Sequence, residues 1–109
     1  MQHTKANKLV EEFLKEVEDL FFRTKGKDYS SDEDRLHNFK VGLLKNHTAM
    51  ERWYEWTHKH WDAIKTAIER NPQDPASTKK GEGLKENLKD LAVYAILGYL
   101  LSVEASDEA

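Results

Sequence analysis

The sequence predicts an all-α protein, a single four-helix bundle-like domain spanning residues 1–109. Three observations carry that expectation. Apolar residues recur at three- and four-residue steps over long stretches, which gathers them on one face of a helix. Two capping-box signals, Ser30 with Glu33 and Thr48 with Glu51, mark helix starts. Both prolines fall together in the stretch 71–83, where they interrupt no apolar stripe.

The first helix is expected over about 4–24. Leu9, Val10, Phe13, Leu14, Val17, Leu20 and Phe21 form its inward stripe, and Gly26 follows as a candidate C-cap. Ser30 would cap a second helix over 31–45, with Leu36, Phe39, Leu43 and Leu44 inward. Thr48 would open a third over 49–70, its stripe being Met50, Trp53, Tyr54, Thr57, His60, Trp61, Ile64 and Ile68. Residues 71–82 read as a loop, and a last helix as 83–103.

That last helix is distinct. From Leu91 to Leu101 every residue is apolar, tyrosine or glycine. The run is well short of the ~20 residues a membrane crossing needs. A helix apolar all round must be covered all round, so part of this helix is expected to lie in a self-association interface, making the chain a homodimer.

Composition narrows the chemistry. The chain has no cysteine, which removes disulfides, zinc–thiolate centres and thiol nucleophiles. Its net charge of −3 disfavours general nucleic-acid binding. Charge is unevenly spread: residues 1–34 sum to −3, 35–80 to +4 and 81–109 to −4. The polar start lacks the apolar core of a signal peptide, so the expected setting is cytoplasmic.

Four constellations could carry function. Lys25-Gly26-Lys27-Asp28-Tyr29, followed by Asp34 and His37-Asn38-Phe39, sets a basic, glycine-containing turn beside a helix start, as phosphate binding requires. A capped structural turn has the same composition. In Lys59-His60-Trp61, His60 lies on the apolar stripe and Lys59 points about 100° away. His60 could orient a base or a water, or be a hydrogen-bonded core residue. Glu86, Asp90 and Tyr94 are spaced at one-turn intervals, and Asp90 should sit at a buried edge where a carboxylate needs a partner. Glu12, Glu16 and Asp19 share a face of the first helix. Beside Glu86 and Asp90 they could hold Mg²⁺ through oxygen ligands, or line a solvated face.

Taken in order, residues 25–29, 34–39, 59–64 and 82–94 form a series that resembles a family of small phage and prophage proteins, the first type of nucleotide-modification-associated domain. The resemblance spans about residues 20–103. It implies an all-α fold and a phage origin near nucleotide-handling genes, hence the cytoplasm of an infected bacterial host. It carries over to Asp28, Tyr29, Asn38, Lys59, His60, Asp90 and Tyr94. The carboxylate pattern is also distantly similar to the MazG-type nucleoside triphosphate pyrophosphatases, whose E-x-x-E and E-x-x-D helices hold Mg²⁺. Glu16-x-x-Asp19 and Glu86-x-x-x-Asp90 depart from those patterns in identity and spacing.

The resulting expectation is a small phage nucleotide-binding protein, with Mg²⁺-dependent pyrophosphatase activity as its extension. Glu86, Asp90, Glu16 and Asp19 would bind the metal, Lys27 and Lys59 the phosphates, and Tyr29 or a tryptophan would stack on the base. The alternative is an inhibitor of host defence that blocks a nuclease complex, in the manner of an anti-CRISPR protein, or sequesters a nucleotide second messenger.

Overall fold

The computed structural model describes residues 1–23, 34–77 and 83–107. These residues form α1 (His3–Arg23), α2 (His37–Lys40), α3 (Ala49–Arg70) and α4 (Leu84–Asp107), with a 3₁₀ turn at Pro75–Ser77 and no strand among them. The fold is all-α, as the periodicity predicts. Among the described residues, no helix is long and apolar enough to cross a membrane.

α3 begins where the sequence places it. Thr48 is extended, its hydroxyl accepts from the Glu51 amide at 3.1 Å, and the Glu51 carboxylate accepts from the Thr48 amide at 2.9 Å. The reciprocal pair satisfies two donors that a helix start otherwise leaves unbonded. The other proposed box, at Ser30 and Glu33, lies outside the described residues.

The second helix is shorter than its pattern suggests. The expected span 31–45 reduces, within the described residues, to one turn at His37–Lys40. Two local causes end it. Val41 turns extended, and Gly42 follows at φ +65°, a region glycine enters at little cost. Arg52 of α3 then takes the carbonyls this leaves behind, donating to Asn38 at 3.1 Å, to Gly42 at 3.3 Å and to Val41. Leu36 and Phe39 are buried as expected, but Leu44 is exposed because the helix that would have turned it inward has already ended.

α4 is the central element. α1 and α3 each pack against it rather than on each other, and the 3₁₀ turn touches both α3 and α4. This arrangement explains its apolar circumference: Val93, Tyr94, Leu97 and Leu101 are buried, with Leu97 at 0% exposure, and Ala92, Ile96 and Leu100 pack partly buried against the same cluster. Within the apolar run only Ala95 and Tyr99 stand exposed.

α1 meets this core with half its stripe. Val17 and Phe21 are buried, Phe13 and Leu20 are partly so, and Leu9, Val10 and Leu14 face outward. On α3 the buried edge runs through Trp53, Trp56, His60, Ile64 and Ala67, while Tyr54, Trp61 and Ile68 are exposed. The expected stripe is therefore rotated toward Trp56 and Ala67, because α4 approaches from that side.

The C-terminal end of α4 is tied to α2 by a three-member ion cluster. Lys40 Nζ lies 2.8 Å from the Asp34 carboxylate and 2.6 Å from that of Glu104. The Lys40 ammonium, helped by the Leu36 amide, holds the Asp34 carboxyl below its ordinary value. The two carboxylates, Asp34 first, hold Lys40 above its own.

Candidate functional site

The seam between α3 and α4 gathers the polar residues that the helical spacing singled out. Trp53 opens it, its indole nitrogen donating to the Tyr94 carbonyl at 2.7 Å. Two turns further along α3 stands His60, half-buried, with its ring 5.1 Å from that of Tyr94 at an interplanar angle of 47°. Facing it on α4 are Asn87 and Asp90.

Hydrogen bonding assigns the tautomer of His60. The Asn87 side-chain nitrogen donates to the Gly83 carbonyl at 3.1 Å, so the other end of the amide presents oxygen. That oxygen lies 2.9 Å from His60 Nδ1, which must therefore carry the proton and donate. Asp90 Oδ2 stands 3.6 Å from the same nitrogen, beyond hydrogen-bond length but close enough to interact as a charge. A neutral His60 then keeps the Nε2 lone pair as an acceptor. His60, Asp90 and Tyr94, which the sequence proposes separately, are thus one cluster.

Asn87 completes the cluster and was not singled out by the sequence reading. Its signal was present: asparagine is a poor helix former, and here it sits in the first turn of an otherwise strong helix. Among the described residues it is also the one buried polar side chain.

Beside the seam, α3 and α4 form an open groove of about 500 Å³, within the range of small-molecule sites. Met50, Trp53, Trp61, Leu91 and Tyr99 supply its apolar walls, with Thr57 and Ser102 also lining it. Both hydroxyl protons are already committed. Thr57 donates to the Trp53 carbonyl at 2.7 Å and Ser102 to the Gly98 carbonyl at 2.8 Å. What the two oxygens offer a ligand is acceptor capacity.

The remaining expected site residues are dispersed. Lys27, Asp28 and Tyr29 lie outside the described residues. Lys59 is exposed, one position from His60 and on a different face. Asn38 is in α2, where its carbonyl is taken by Arg52, eight residues before His60 on α3 and about 12 Å away along the helix axis.

Three of the four carboxylates proposed for Mg²⁺ have separate partners. Glu16 pairs with Lys89 at 2.6 Å, Asp19 with Arg23 at 3.9 Å, and Asp90 faces His60, while Glu86 is exposed. Among the described residues, no group of three or more His, Asp or Glu side chains is placed to hold a metal ion. In this arrangement the four carboxylates do not fit a Mg²⁺ centre.

No model of a known protein family matches the chain, and neither a curated protein nor a solved structure matches it.

Proposed function

We propose that this chain binds a nucleotide in the groove between α3 and α4. The observation that carries this reading is the pairing of aromatic walls, Trp61 and Tyr99, with two hydroxyls whose protons are already used. Flat aromatic faces suit a nucleobase, and stacking on them is worth about 1–3 kcal/mol per base. Thr57 and Ser102, left as acceptors, suit the exocyclic amino group of adenine, cytosine or guanine. The cluster of His60, Asn87 and Asp90 holds the two helices in register beside the groove. The resemblance to the phage nucleotide-modification-associated family supports the same ligand class and a phage origin. Mg²⁺ enters this reading as the counter-ion of a bound triphosphate.

A thermal-shift panel tests the proposal. Nucleotides of adenine, cytosine and guanine should raise the melting temperature, while those of uracil and hypoxanthine, which lack the amino group, should not. Each nucleotide would be run with and without Mg²⁺. A ligand at 100 times its Kd stabilises by about 2.7 kcal/mol, which in a domain of this size moves the midpoint by roughly 10 °C. The shift should vanish in Trp61→Ala with the fold intact. If it survives in Asp90→Ala, the polar cluster only packs the helices. Silence across the whole panel would reject nucleotide binding. Hydrolysis of whichever triphosphate binds would then be assayed directly.

A second reading rests on Tyr54, Trp61 and Tyr99, all strongly exposed on the α3 and α4 faces. Exposed tyrosine and tryptophan are concentrated at protein interfaces. The same surface could therefore dock a host defence factor, and a nuclease-complex subunit recovered on wild-type chain but not on Trp61→Ala would favour that reading.

A further inference from the structure

The two hydroxyls of the α3–α4 groove stand at different places along it. Trp53 meets Gly98 and His60 meets Asn87, so residue numbers rise along α3 as they fall along α4, and the helices run antiparallel. Thr57 therefore lies one turn past the Trp53–Gly98 contact, toward Trp61. Ser102 lies one turn the other way, toward Met50. Their backbones are about 12 Å apart along the seam. One amino group cannot bond to both.

Each oxygen then reads a different donor. Thr57 is one turn from Trp61 on the same helix, so a base stacked on Trp61 has its amino group within reach of Thr57. Outside its base, a nucleoside has donors only in its sugar hydroxyls. These lie at the far end of the nucleoside from the amino group, as Ser102 lies along the groove from Thr57. The Ser102 proton is held by the Gly98 carbonyl, so its oxygen accepts from a hydroxyl and has nothing to donate to a phosphate. Among the described residues lining the groove, none is charged. On the α3 side His58 stands 3.5 Å from Asp62 and Lys65 3.9 Å from Glu69, each basic group beside a carboxylate one turn on. Past Ser102, the last turn of α4 carries Glu104 and Asp107 at the negative end of the helix dipole.

We propose that the groove holds only the nucleoside part of its ligand, with the base amino group on Thr57, the ribose hydroxyls on Ser102 and the 5′-phosphates in solvent. This rests on the nucleotide-binding reading and narrows it. The ligand class is a ribonucleoside, whatever number of phosphates it carries, and Ser102 is the residue that reads the sugar.

Calorimetric titration with adenosine, cytidine and guanosine, their 5′-triphosphates and their 2′,3′-dideoxy forms tests the assignment. For a base that binds, the nucleoside and its triphosphate should have dissociation constants within about threefold of each other, and added salt should not weaken the triphosphate. The dideoxy form should bind roughly threefold to tenfold more weakly, the loss of one hydrogen bond. Ser102→Ala, a change at an exposed position, should weaken the ribonucleoside by the same factor and leave the dideoxy form unaffected, with helicity unaltered. A triphosphate that binds about tenfold tighter than its nucleoside would overturn the proposal while leaving nucleotide binding in place. A dideoxy form that binds wild type as tightly as the ribonucleoside would do the same. If no compound of the set binds, the nucleotide-binding reading and this one fall together.

Discussion

At Gly98 a missing methyl group lets α3 and α4 come together. A Cβ built there would stand 2.5 Å from the Trp53 ring, closer than such atoms approach in practice. The ring is not free to withdraw, because its nitrogen is bonded to the Tyr94 carbonyl. Alanine would gain about 1 kcal/mol in helix propensity, but overpacking costs about 1–3 kcal/mol. Giving up the indole hydrogen bond would cost about 1 kcal/mol more. Gly98→Ala is therefore expected to destabilise by about 1–3 kcal/mol, read as a lower urea midpoint. An unchanged or raised midpoint would mean that Trp53 moves aside without penalty. The sequence shows Gly98 as a glycine within an apolar helix, yet only the structure identifies the ring it admits. Asp90 and Tyr94 were legible by spacing because helical periodicity puts them on one face of α4, and His60 because it falls on the apolar stripe of α3. Asn87 became part of the site only once α3 supplied His60 as its partner.

Elements behave differently according to where their ends are decided. α3 begins and ends where the sequence predicts, since its start is fixed by Thr48 and Glu51, residues three apart. α2 fails to reach its predicted length because Val41 turns extended and Gly42 follows at positive φ, and Arg52, ten to fourteen residues away along the chain, takes the carbonyls this leaves. The cluster joining α2 to α4 gives this part of the fold a pH signature. Asp34 has a folded value below its ordinary one, so its contribution is fully present above about pH 4 and fades as pH falls through the folded value. Lys40 has a raised value, so its contribution is present below about pH 10 and fades as pH rises through the folded value. Asp34→Asn should thus be less stable than wild type at pH 7, with the gap closing at an acid pH below the lowered folded value of Asp34. Urea titrations at the two pH values measure it. A gap that persists in acid would mean that the Asp34 charge contributes nothing.

Seen as a whole, the molecule is less compact than its length allows. Its radius of gyration is 16.1 Å, against roughly 13 Å for a compact domain of this size. With two helices flanking a third, most of the core lies around α4, and Leu97 is at its centre. Leu97→Ala is expected to cost about 2–5 kcal/mol, a large part of the 5–15 kcal/mol typical of a whole domain. A loss under 1 kcal/mol in chemical denaturation would contradict the central position assigned to α4. The sequence by itself determined the helical class and the three long helices, because local periodicity and capping need no distant contacts. It also marked α4 as a helix that must be covered all round. Only the tertiary structure decided what covers it, which half of the α1 stripe is left exposed, and which polar residues meet at the α3–α4 seam. Those outcomes depend on where one helix lies against another, and no spacing within a single helix encodes that.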